Sequence, residues 1–498
     1  MVLPRTYPVR TRRSPLPLPH HRSDAHLLEG REAAHTRGSA HPLTTIRSHS
    51  EHTPAPGCPA QYTRLYEPIP ESGRDALWAR LREEHGSVAP VEIEPGVRVW
   101  LLLGYQENLT VLQQPHLFSR DTRRWREAVE GRVDLSRPSF SWRPNALYAD
   151  GAEHTRLRTP IVDALDRVDM AATERTVRRI GDELVDSFIA DGRADLVSEY
   201  AAHLPVLVVN SLYGLPDSYG HMLGDITSIV FDQDAKRGEE GVARMHQYFA
   251  GLVARKRNRP GQDLVSWMLQ HPIGLNDNEV AHQAALINNS SHMASTHLIG
   301  NTMWTLLTDP RIRTSHTEAL VSVQALLDHV MWSNTPFQTL LGRIALHDTR
   351  IGNAQVRAGD ALLLGFAPAH LDPSVQRDEP ENDTGIAGGS RAHLMFGAGP
   401  HACPARELAR MIAATGISVL HERLSELQLE VAPERLRWAQ SPFLRGLHEL
   451  PVTFVAAAPK GPSAPEPKPR TRVVATADPK EPEDLLDRLL SWWRGLRG

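Results

Sequence analysis

The sequence predicts a mainly α-helical protein with a small amount of β-sheet. Apolar residues recur every three or four positions along several long segments, which is the period of an amphipathic helix. The clearest of these segments are residues 173–192, 279–310 and 403–424. Shorter runs with alternating apolar residues, interrupted by glycine, indicate strands near residues 91–103 and 349–366. Helical segments dominate the chain, so we expect packed helices to form most of the core.

The beginning of the chain differs in composition from the rest. Residues 1–60 are rich in Pro, Arg, His, Ser and Thr and have neither a helical nor a strand period. Such a segment buries too little apolar surface to offset the entropy lost on ordering. We therefore expect a disordered N-terminal extension over residues 1–60 and one large folded domain over residues 61–457. The first helix of that domain is predicted near residues 74–86.

The end of the chain has two parts. Residues 458–480 are polar and rich in proline, which predicts an extended linker. Residues 481–498 predict an amphipathic helix. Its apolar face comprises Leu485, Leu486, Leu489, Leu490, Trp493 and Leu496. Such a helix either contacts a membrane surface or a partner protein or folds back onto its own chain, and the sequence leaves both alternatives open.

Composition and charge argue against several classes of partner and compartment. The formal net charge of the 498-residue chain is -4, which does not favour binding to nucleic acid. No apolar run reaches the roughly 18 residues that span a membrane, and the N-terminus lacks the apolar segment of a signal peptide. The only cysteines, Cys58 and Cys403, are far apart in the sequence. This cysteine usage favours a reducing, cytoplasmic location over a secreted disulfide framework.

One of these cysteines lies in an unusual loop. Residues 396–405 read FGAGPHACPA and directly precede a predicted helix. Gly397 and Gly399 allow a tight turn, and the positive end of the following helix would face the sulfur of Cys403. Backbone amides and a helix N-terminus stabilise a thiolate and make it a strong metal ligand. A lone cysteine is more often a buried, inert thiol, but this pattern is more specific.

The loop resembles the haem-binding loop of the cytochrome P450 family, F-G-x-G-x-H-x-C-x-G. Phe396, Gly397, Gly399, His401 and Cys403 match in order and spacing, and Ala405 replaces the last glycine. The resemblance runs from about residue 62 to residue 455. It implies a cytochrome P450 fold in a single large haem-binding domain, with haem b as cofactor. It also implies that Cys403 is the thiolate ligand of the haem iron, with Phe396 and Gly397 forming part of the cofactor-binding loop.

The resemblance implies further residues for the haem propionates, which need cationic or hydrogen-bonding partners. The segment DGAEHTRLRTP is similar to the family helix that begins H-x-x-x-R, which assigns His154 and Arg158 to a propionate. Residues four apart share one helix face. Arg343 and His393 match the positions of two further propionate partners. Each of these residues taken alone is more often an ordinary surface or capping residue.

The chain departs from the family in its oxygen-activating helix, which usually carries A-G-x-[ED]-T. There an acid and an alcohol deliver protons during dioxygen activation. In this chain Met293 stands at the acid position and Ala294 at the alcohol position. His292 and Ser295 flank the pair and are candidates for carrying protons or holding a water. Neighbouring helix residues point about 100° apart, so neither residue is a positional substitute.

A second departure lies in the helix that normally carries a buried ion pair, E-x-x-R. His329 and Trp332 occupy those two positions. Asp328 is adjacent, but no arginine follows it three residues later. Packed residues often replace a buried ion pair at little cost. We therefore expect Trp332 to fill the volume of the missing arginine.

Taken together, the resemblance implies a haem-thiolate monooxygenase that oxidises a small organic substrate with dioxygen. Electrons would come from a ferredoxin and a ferredoxin reductase or a similar donor, which would dock near Arg406 and Arg410. The missing acid and alcohol leave open an alternative: an atypical haem protein of the same fold that works with peroxide or serves as a non-oxygenase sensor or interaction subunit. A haem-free structural descendant is disfavoured by the retained loop.

Overall fold

The computed structural model describes residues 62–67, 73–135, 140–230, 235–375, 386, 391–439, 441–461 and 484–497. The described residues lie in one unit that begins at Tyr62. Residues 1–60 and most of the segment 458–480 fall outside the described part of the chain. The predictions of a disordered extension and of an extended linker therefore stay predictions.

Helices dominate the described residues, as the sequence predicts. In chain order they are α1 (Arg74–His85), α2 (Tyr105–Gln113), α3 (Arg126–Val129), α4 (Gly151–Leu165), α5 (Met170–Asp186), α6 (Leu204–Leu212), α7 (Asp217–Val230), α8 (Ala235–Asn258), α9 (Leu264–Gln270), α10 (Asp277–Thr308), α11 (Pro310–Thr317), α12 (Val323–Ser333), α13 (Phe366–His370), α14 (Arg406–Arg423) and α15 (Leu485–Arg497). In the described part of the chain, no helix combines the length and apolarity needed to cross a membrane.

The strands are short. They are β1 (Thr63–Arg64), β2 (Val88–Glu94), β3 (Val97–Leu102), β4 (Phe118–Ser119), β5 (Arg193–Asp195), β6 (Thr339–Ala345), β7 (Thr349–Ile351), β8 (Ala354–Val356), β9 (Ala361–Gly365), β10 (Gln428–Leu429) and β11 (Pro451–Thr453). One sheet has the order β1-β2-β3-β9-β6-β4, a second has the order β10-β11-β5, and β7 pairs with β8. The mainly α fold with minor β predicted from the sequence is confirmed.

A bulge in the largest sheet helps to position the site. Strands β6 and β9 are antiparallel, with Leu341 opposite Leu363 and Arg343 opposite Leu362. Gly342 is the extra residue between the two pairs, and a bulge of this kind re-aims the side chains beside it. The carbonyl of Gly342 accepts hydrogen bonds from Nη1 of Arg120 and Nη1 of Arg343, each at 2.7 Å. The bulge therefore brings two arginines to one point in the interior.

The long helix α10 connects the two largest groups of core residues. Its N-terminus is capped by Asn276, whose side chain accepts from the amide of Glu279 while the Glu279 carboxylate accepts from the amide of Asn276. Val280 and Ala284 pack with α7, α8 and α9. Leu298 and Met303 pack with α5, α12 and α14. The helix consequently runs through the molecule from one core region to the other.

The C-terminal helix α15 packs on the body through its apolar face. Leu486, Leu489 and Leu490 are all buried and join the core region formed by α7, α8 and α9. Burial of three leucines against a complementary surface is a strong apolar driving force. Of the two alternatives raised by the sequence, the structure favours the fold-back. Leu486, Leu489 and Leu490 are covered, so a membrane or partner contact through residues 481–498 does not have these three side chains available, whereas Leu485 is 38% exposed.

Polar contacts at the edges of α15 add to this packing. Asp484 accepts two hydrogen bonds from Arg255 of α8, from Nε and Nη2, each at 2.6 Å. The indole nitrogen of Trp493 donates to Asp225 of α7 at 2.7 Å. Helix α15 therefore contacts both α7 and α8.

Candidate active site

A cavity of about 540 Å³ lies between α10 and the loop that carries Cys403. Phe396, Gly397 and Cys403 line it on the loop side. Ala294 and Leu298 of α10 line it as well. The remaining wall is largely apolar and comes from α4, α6, α8 and the sheet. A concave, mostly apolar space with a few polar groups is the usual form of a small-molecule site.

The loop around Cys403 has the geometry that its glycines predict. Gly397 and Gly399 both have φ of 67°, which is the left-handed region that favours glycine. A Cβ on Gly399 would also overlap the carbonyl oxygen of Leu112 at the end of α2. The amide of Cys403 donates to the carbonyl of Phe396 at 2.8 Å, which closes the loop. Helix α14 begins at Arg406, directly after the loop.

The surroundings of the Cys403 thiol are partly cationic. Burial raises the pKa of the thiol, against the opposing effects of the Ala405 amide and the guanidinium groups of Arg158 and Arg406. Arg158 also donates a hydrogen bond to the carbonyl of Ala402, and this bond holds the Arg158 guanidinium beside the loop. A coordinated metal ion deprotonates a thiol outright. Without a metal, the raised pKa keeps Cys403 as a protonated thiol. The sulfur is therefore better suited to binding a metal ion than to existing as a free thiolate.

Basic side chains cluster at the same end of the cavity. Arg120, Arg158, Arg343 and His401 line it. The ring of His154 lies against that of His401, with 4.0 Å between their centroids. Burial lowers the pKa of Arg343 well below its usual value. Burial and the nearby charge of Arg343 lower the pKa of His401 to about 3, against the effect of Asp150.

Several donor atoms in this cluster lack a partner. Within the described residues, Nε and Nη2 of Arg343 and Nε2 of His154 are buried without a hydrogen bond, whereas Nε2 of His401 lies 3.6 Å from Oδ1 of Asp150. An unsatisfied buried polar group costs about 1–3 kcal/mol, and more when it is charged. The cluster therefore fits an anionic, acceptor-rich group such as a pair of carboxylates.

The residues predicted to be catalytic divide into two pairs on α10. Ala294 and Ser295 line the cavity, and Ser291 one turn earlier lines it too. His292 and Met293 are not among the described residues that line the cavity. His292 is instead buried on another side of α10 beside the backbone of Ala202, and burial lowers its pKa to about 4. His292 thus lies on a different side of α10 from Ala294 and Ser295, since successive helix residues point about 100° apart. Its role in carrying protons or holding a water stays a prediction.

His393 also lies outside the cavity. It is buried beside Trp332, His370 and Phe396, at centroid distances of 6.4, 6.5 and 5.7 Å. The amide of Leu394, the residue after His393, donates to Nε2 of His370 at 2.8 Å. The structure thus brings together His154, Arg158, Arg343 and Cys403, and leaves His393 apart from them.

Sequence reasoning missed two residues of the basic cluster. His401 takes the place expected for His393, and its position two residues before Cys403 in the loop pattern was the signal that could have identified it. Arg120 follows strand β4 without any recognisable motif, and its role becomes visible only through its bond to the carbonyl of Gly342.

A buried ion pair lies next to the two positions of the E-x-x-R pattern. Asp328 of α12 pairs with Arg410 of α14, and Nη2 of Arg410 lies 3.0 Å from Oδ2 of Asp328. Trp332 instead stacks with Tyr105, with 6.5 Å between ring centroids and 15° between planes. The expectation that Trp332 fills the volume of the missing arginine stays a prediction. Arg410 is buried, so it is not available for docking a redox partner either.

Comparison with known proteins identifies the family. No family model matches the chain. The chain is 30% identical over 384 residues to the cytochrome P450 monooxygenase PikC of Streptomyces venezuelae, and the match covers 76% of this chain and 90% of PikC. The chain belongs to the cytochrome P450 family. Cytochrome P450 107B1 of Saccharopolyspora erythraea is 28% identical over 388 residues, which cover 76% of this chain and 94% of that one.

Solved P450 structures have the same fold. CYP154C4 from Streptomyces sp. W2061 superposes with a TM-score of 0.69 at 25% identity, covering 79% of this chain and 98% of that chain. The myxobacterial P450 CYP267B1, solved with myristic acid, gives a TM-score of 0.70 at 27% identity and covers 78% of this chain and 98% of its own. The P450 fold predicted from the Cys403 loop is confirmed.

Membership of the family carries its general chemistry. The named relatives include P450 monooxygenases and hydroxylases, so this P450 is an oxidoreductase of the monooxygenase class. P450 proteins bind haem b. The residues present fit that group, because the unpaired donors of Arg343 and His154, with His401 beside them, suit its two propionates and the Cys403 sulfur suits its iron. Arg120 and Arg158 could contribute to the same propionate site.

Proposed function

We propose that this P450 hydroxylates a small organic substrate with dioxygen and electrons from a ferredoxin and its reductase, using haem ligated by Cys403. One oxygen atom enters a C–H bond of the substrate, and the other leaves as water after the uptake of two electrons and two protons. The observation that carries the proposal is the cavity itself. It lies between Cys403 on one side and Ala294 of α10 on the other, with unpaired cationic donors at its edge.

In this proposal each residue of the basic cluster has a defined task. Bound haem supplies an iron centre that reacts with dioxygen. Cys403 holds the iron, and the Ala405 amide and Arg158 stabilise the negative charge on its sulfur. Arg343 and His154 bind the propionates through the donors that otherwise lack partners, and His401 binds them beside His154. Arg120 supports Arg343 through the shared carbonyl of Gly342.

The wall formed by α10 handles protons in an unusual way. Met293 and Ala294 contribute neither an acid nor an alcohol to the cavity. Three serines of this helix line the cavity: Ser290, Ser291 and Ser295. A serine hydroxyl donates and accepts hydrogen bonds, so these side chains can hold a water that relays protons. A relay through water and weak acids is slower than one with a positioned carboxyl group, which predicts incomplete coupling of electron use to product formation.

The absence of an acid and an alcohol at residues 293 and 294 favours a second candidate function. Hydrogen peroxide brings two electrons and its own protons, so a peroxide-driven reaction depends less on residues 293 and 294. A peroxide-dependent enzyme is therefore the main alternative to the dioxygen route, ahead of a sensor or interaction subunit that carries out no oxygenation.

Docking of the electron donor is proposed on the surface near Cys403. Arg406 is exposed there, at the start of α14, and the Arg391 side chain is 58% exposed nearby, within 3.8 Å of Glu407. Two arginines on the face closest to Cys403 suit an acidic partner such as a ferredoxin. Arg410 is excluded from this surface because it is buried and paired with Asp328.

The experiment compares the two oxidants on one preparation. A panel of small organic substrates is screened for NAD(P)H consumption with a ferredoxin and reductase, and in parallel for turnover with hydrogen peroxide. The proposal expects substrate-dependent NAD(P)H consumption and hydroxylated product that contains oxygen from labelled dioxygen. Turnover with peroxide alone, and no product with the redox partners, would support the alternative instead.

A further inference from the structure

The end of the cavity away from Cys403 carries a second group of polar side chains. Arg143, His246 and His282 line the cavity and are distinct from the cluster assigned to haem. Asn289 lines it between them and the centre of α10. Among the described lining residues none is an aspartate or a glutamate. The cavity therefore has a basic end that no acidic side chain of its own lining neutralises.

These side chains come from three different elements that are held together. Arg143 lies on the loop before α4, and the amide of Ala146 in that loop donates to the side-chain oxygen of the fully buried Gln283 at 3.0 Å. Gln283 is next to His282 on α10. His246 of α8 lies 5.8 Å from His282 between ring centroids. The basic end is thus built where the loop, α8 and α10 meet.

Arg143 supplies the positive charge of this group. Burial, with the nearby groups His246 and Arg143, lowers the pKa of His282 to about 4, so this imidazole is neutral at pH 7 and serves as a hydrogen-bonding group. His246 is exposed and marks the solvent side. Arg143 is half-buried, so its charge is only partly screened by solvent.

The guanidinium of Arg143 differs from the other arginines of the cavity. Arg120 and Arg343 donate to the carbonyl of Gly342, and Arg158 donates to the carbonyl of Ala402. The Arg143 guanidinium, by contrast, forms no hydrogen bond or ion pair with another described residue. A guanidinium presents a planar fork of donors that matches a carboxylate in two-point contact. Arg143 therefore presents an unused anion-binding group to the cavity.

The distance along α10 sets the size of a matching ligand. His282 and Ser295 are 13 residues apart on the same helix, which is about 20 Å at 1.5 Å per residue. The lining between them is mostly apolar and includes Phe249, Ala285 and Leu286. A ligand that reaches from Arg143 to the Cys403 end therefore needs a long apolar body.

We propose that the substrate is an elongated apolar molecule with a terminal carboxylate, held by Arg143 with His282 and His246 while its far end reaches the Cys403 side. This inference rests on the proposed function, because it treats the cavity as the place of oxidation. It assigns Arg143 as a specificity-determining residue that binds the substrate and takes no part in the chemistry.

The test measures binding of palmitic acid to the haem-loaded protein by calorimetry. Palmitic acid is compared with methyl palmitate, which keeps the chain but removes the charge, and with lauric acid, which keeps the charge on a shorter chain. We expect the ester to bind roughly tenfold more weakly, as for loss of one charge-assisted hydrogen bond. Equal affinity for acid and ester would overturn the proposal. So would tighter binding of lauric acid than of palmitic acid.

Variants separate Arg143 from the general charge of the protein. Arg143→Gln should lower the affinity for palmitic acid roughly tenfold and leave that for methyl palmitate unchanged. Arg80→Gln on α1, where the Arg80 side chain is 59% exposed, is the matched control and should change neither. An unchanged acid-to-ester ratio in Arg143→Gln would contradict the proposal. The comparison of ligands on the unaltered protein decides the question even if a variant does not fold.

The two proposals fail in different ways. If the protein lacks a thiolate-type spectrum with carbon monoxide, the proposed function fails, while charge-dependent binding of palmitic acid remains measurable and still decides the role of Arg143. If the spectrum is present and binding shows no preference for the acid, the substrate class is wrong and the proposed function stands.

Discussion

Asp328 on α12 and Arg410 on α14 form a buried ion pair across 82 residues of sequence. Their side chains are 9% and 6% exposed. Helix α14 begins three residues after Cys403, so the pair ties the helix behind the Cys403 loop to the centre of the fold. A second arginine, Arg391, lies 3.8 Å from the same carboxylate and partly shares it.

Breaking this pair should destabilise the protein strongly. Arg410→Met leaves the Asp328 carboxylate buried without its main partner, which costs about 3–5 kcal/mol. Arg178→Met is the matched control, because Arg178 pairs with Glu422 at 3.0 Å on the surface, and such exposed pairs contribute about 1 kcal/mol or less. The free energy of unfolding in urea and the haem content are measured for both variants. Similar losses in the two variants would contradict a central role for the buried pair.

The double variant Asp328→Leu/Arg410→Met tests whether charge or volume matters. Replacing both members of a buried pair by apolar residues of similar size is often nearly neutral. We expect the double variant to recover most of the stability lost in Arg410→Met. If haem retention does not recover with stability, the pair has a role in the Cys403 loop beyond packing.

Docking of α15 depends on its buried leucines. Leu486 is fully buried against α8, whereas its neighbour Leu485 is 38% exposed. Leu486→Ala should therefore weaken docking by about 2–5 kcal/mol, while Leu485→Ala should cost about 0.5 kcal/mol or less. Amide hydrogen exchange over residues 485–497 measures the docking directly. Equal protection in the two variants would show that α15 is not held by its apolar face.

Acid should also weaken the docking of α15. Although burial raises the pKa of Asp484, the hydrogen bonds from Arg255 and from the amide of Asp487 outweigh this effect, and the pKa is lowered overall. A carboxyl group whose pKa is lowered on folding contributes stability above its unfolded value, near 4, and loses it as pH falls through the folded value. Hydrogen exchange of α15, corrected for intrinsic rates, should therefore stay constant from about pH 7 to 5 and show lost protection below about pH 4. Asp484→Asn should show less protection at pH 7 and a smaller change with acid, and the same pH profile in both proteins would refute this role.

A hydroxyl group placed on the cavity side of α10 should improve the use of dioxygen. Ala294 lines the cavity and Met293 does not. Ala294→Thr should raise the ratio of product formed to NAD(P)H consumed by several-fold, within the range contributed by a positioned proton donor. Met293→Thr introduces the same group outside the cavity and should leave the ratio unchanged. A similar gain in both variants, or in neither, would mean that residue 294 does not limit proton delivery.

The sequence predicted features that depend on local spacing. Helical periodicity indicated the mainly α fold, and the loop pattern around Cys403 indicated both the family and the turn at Gly397 and Gly399. His154 and Arg158 followed from the resemblance of their segment to the family helix that begins H-x-x-x-R. Each of these features involves residues that are close in sequence, so their geometry follows from a single element.

Features that depend on long-range contacts were not predicted. His393 and His401 flank the same loop, and only the path of that loop decides which of them faces the cavity. The partner of Asp328 is 82 residues away on another helix, and the surface that receives α15 is formed by residues more than 200 positions earlier. No local pattern encodes such pairs, because they are set by how the helices pack.

The carbon monoxide spectrum of the reduced protein tests the central claim most directly. We predict that the protein shows the shifted Soret band of a thiolate-ligated haem, and that Cys403→Ser loses this shift while the far-ultraviolet circular dichroism stays the same. Arg406→Gln, next to the loop but outside the proposed ligand set, should keep the shift. An absent shift, or a shift that survives in Cys403→Ser, would contradict the assignment of Cys403 as the iron ligand.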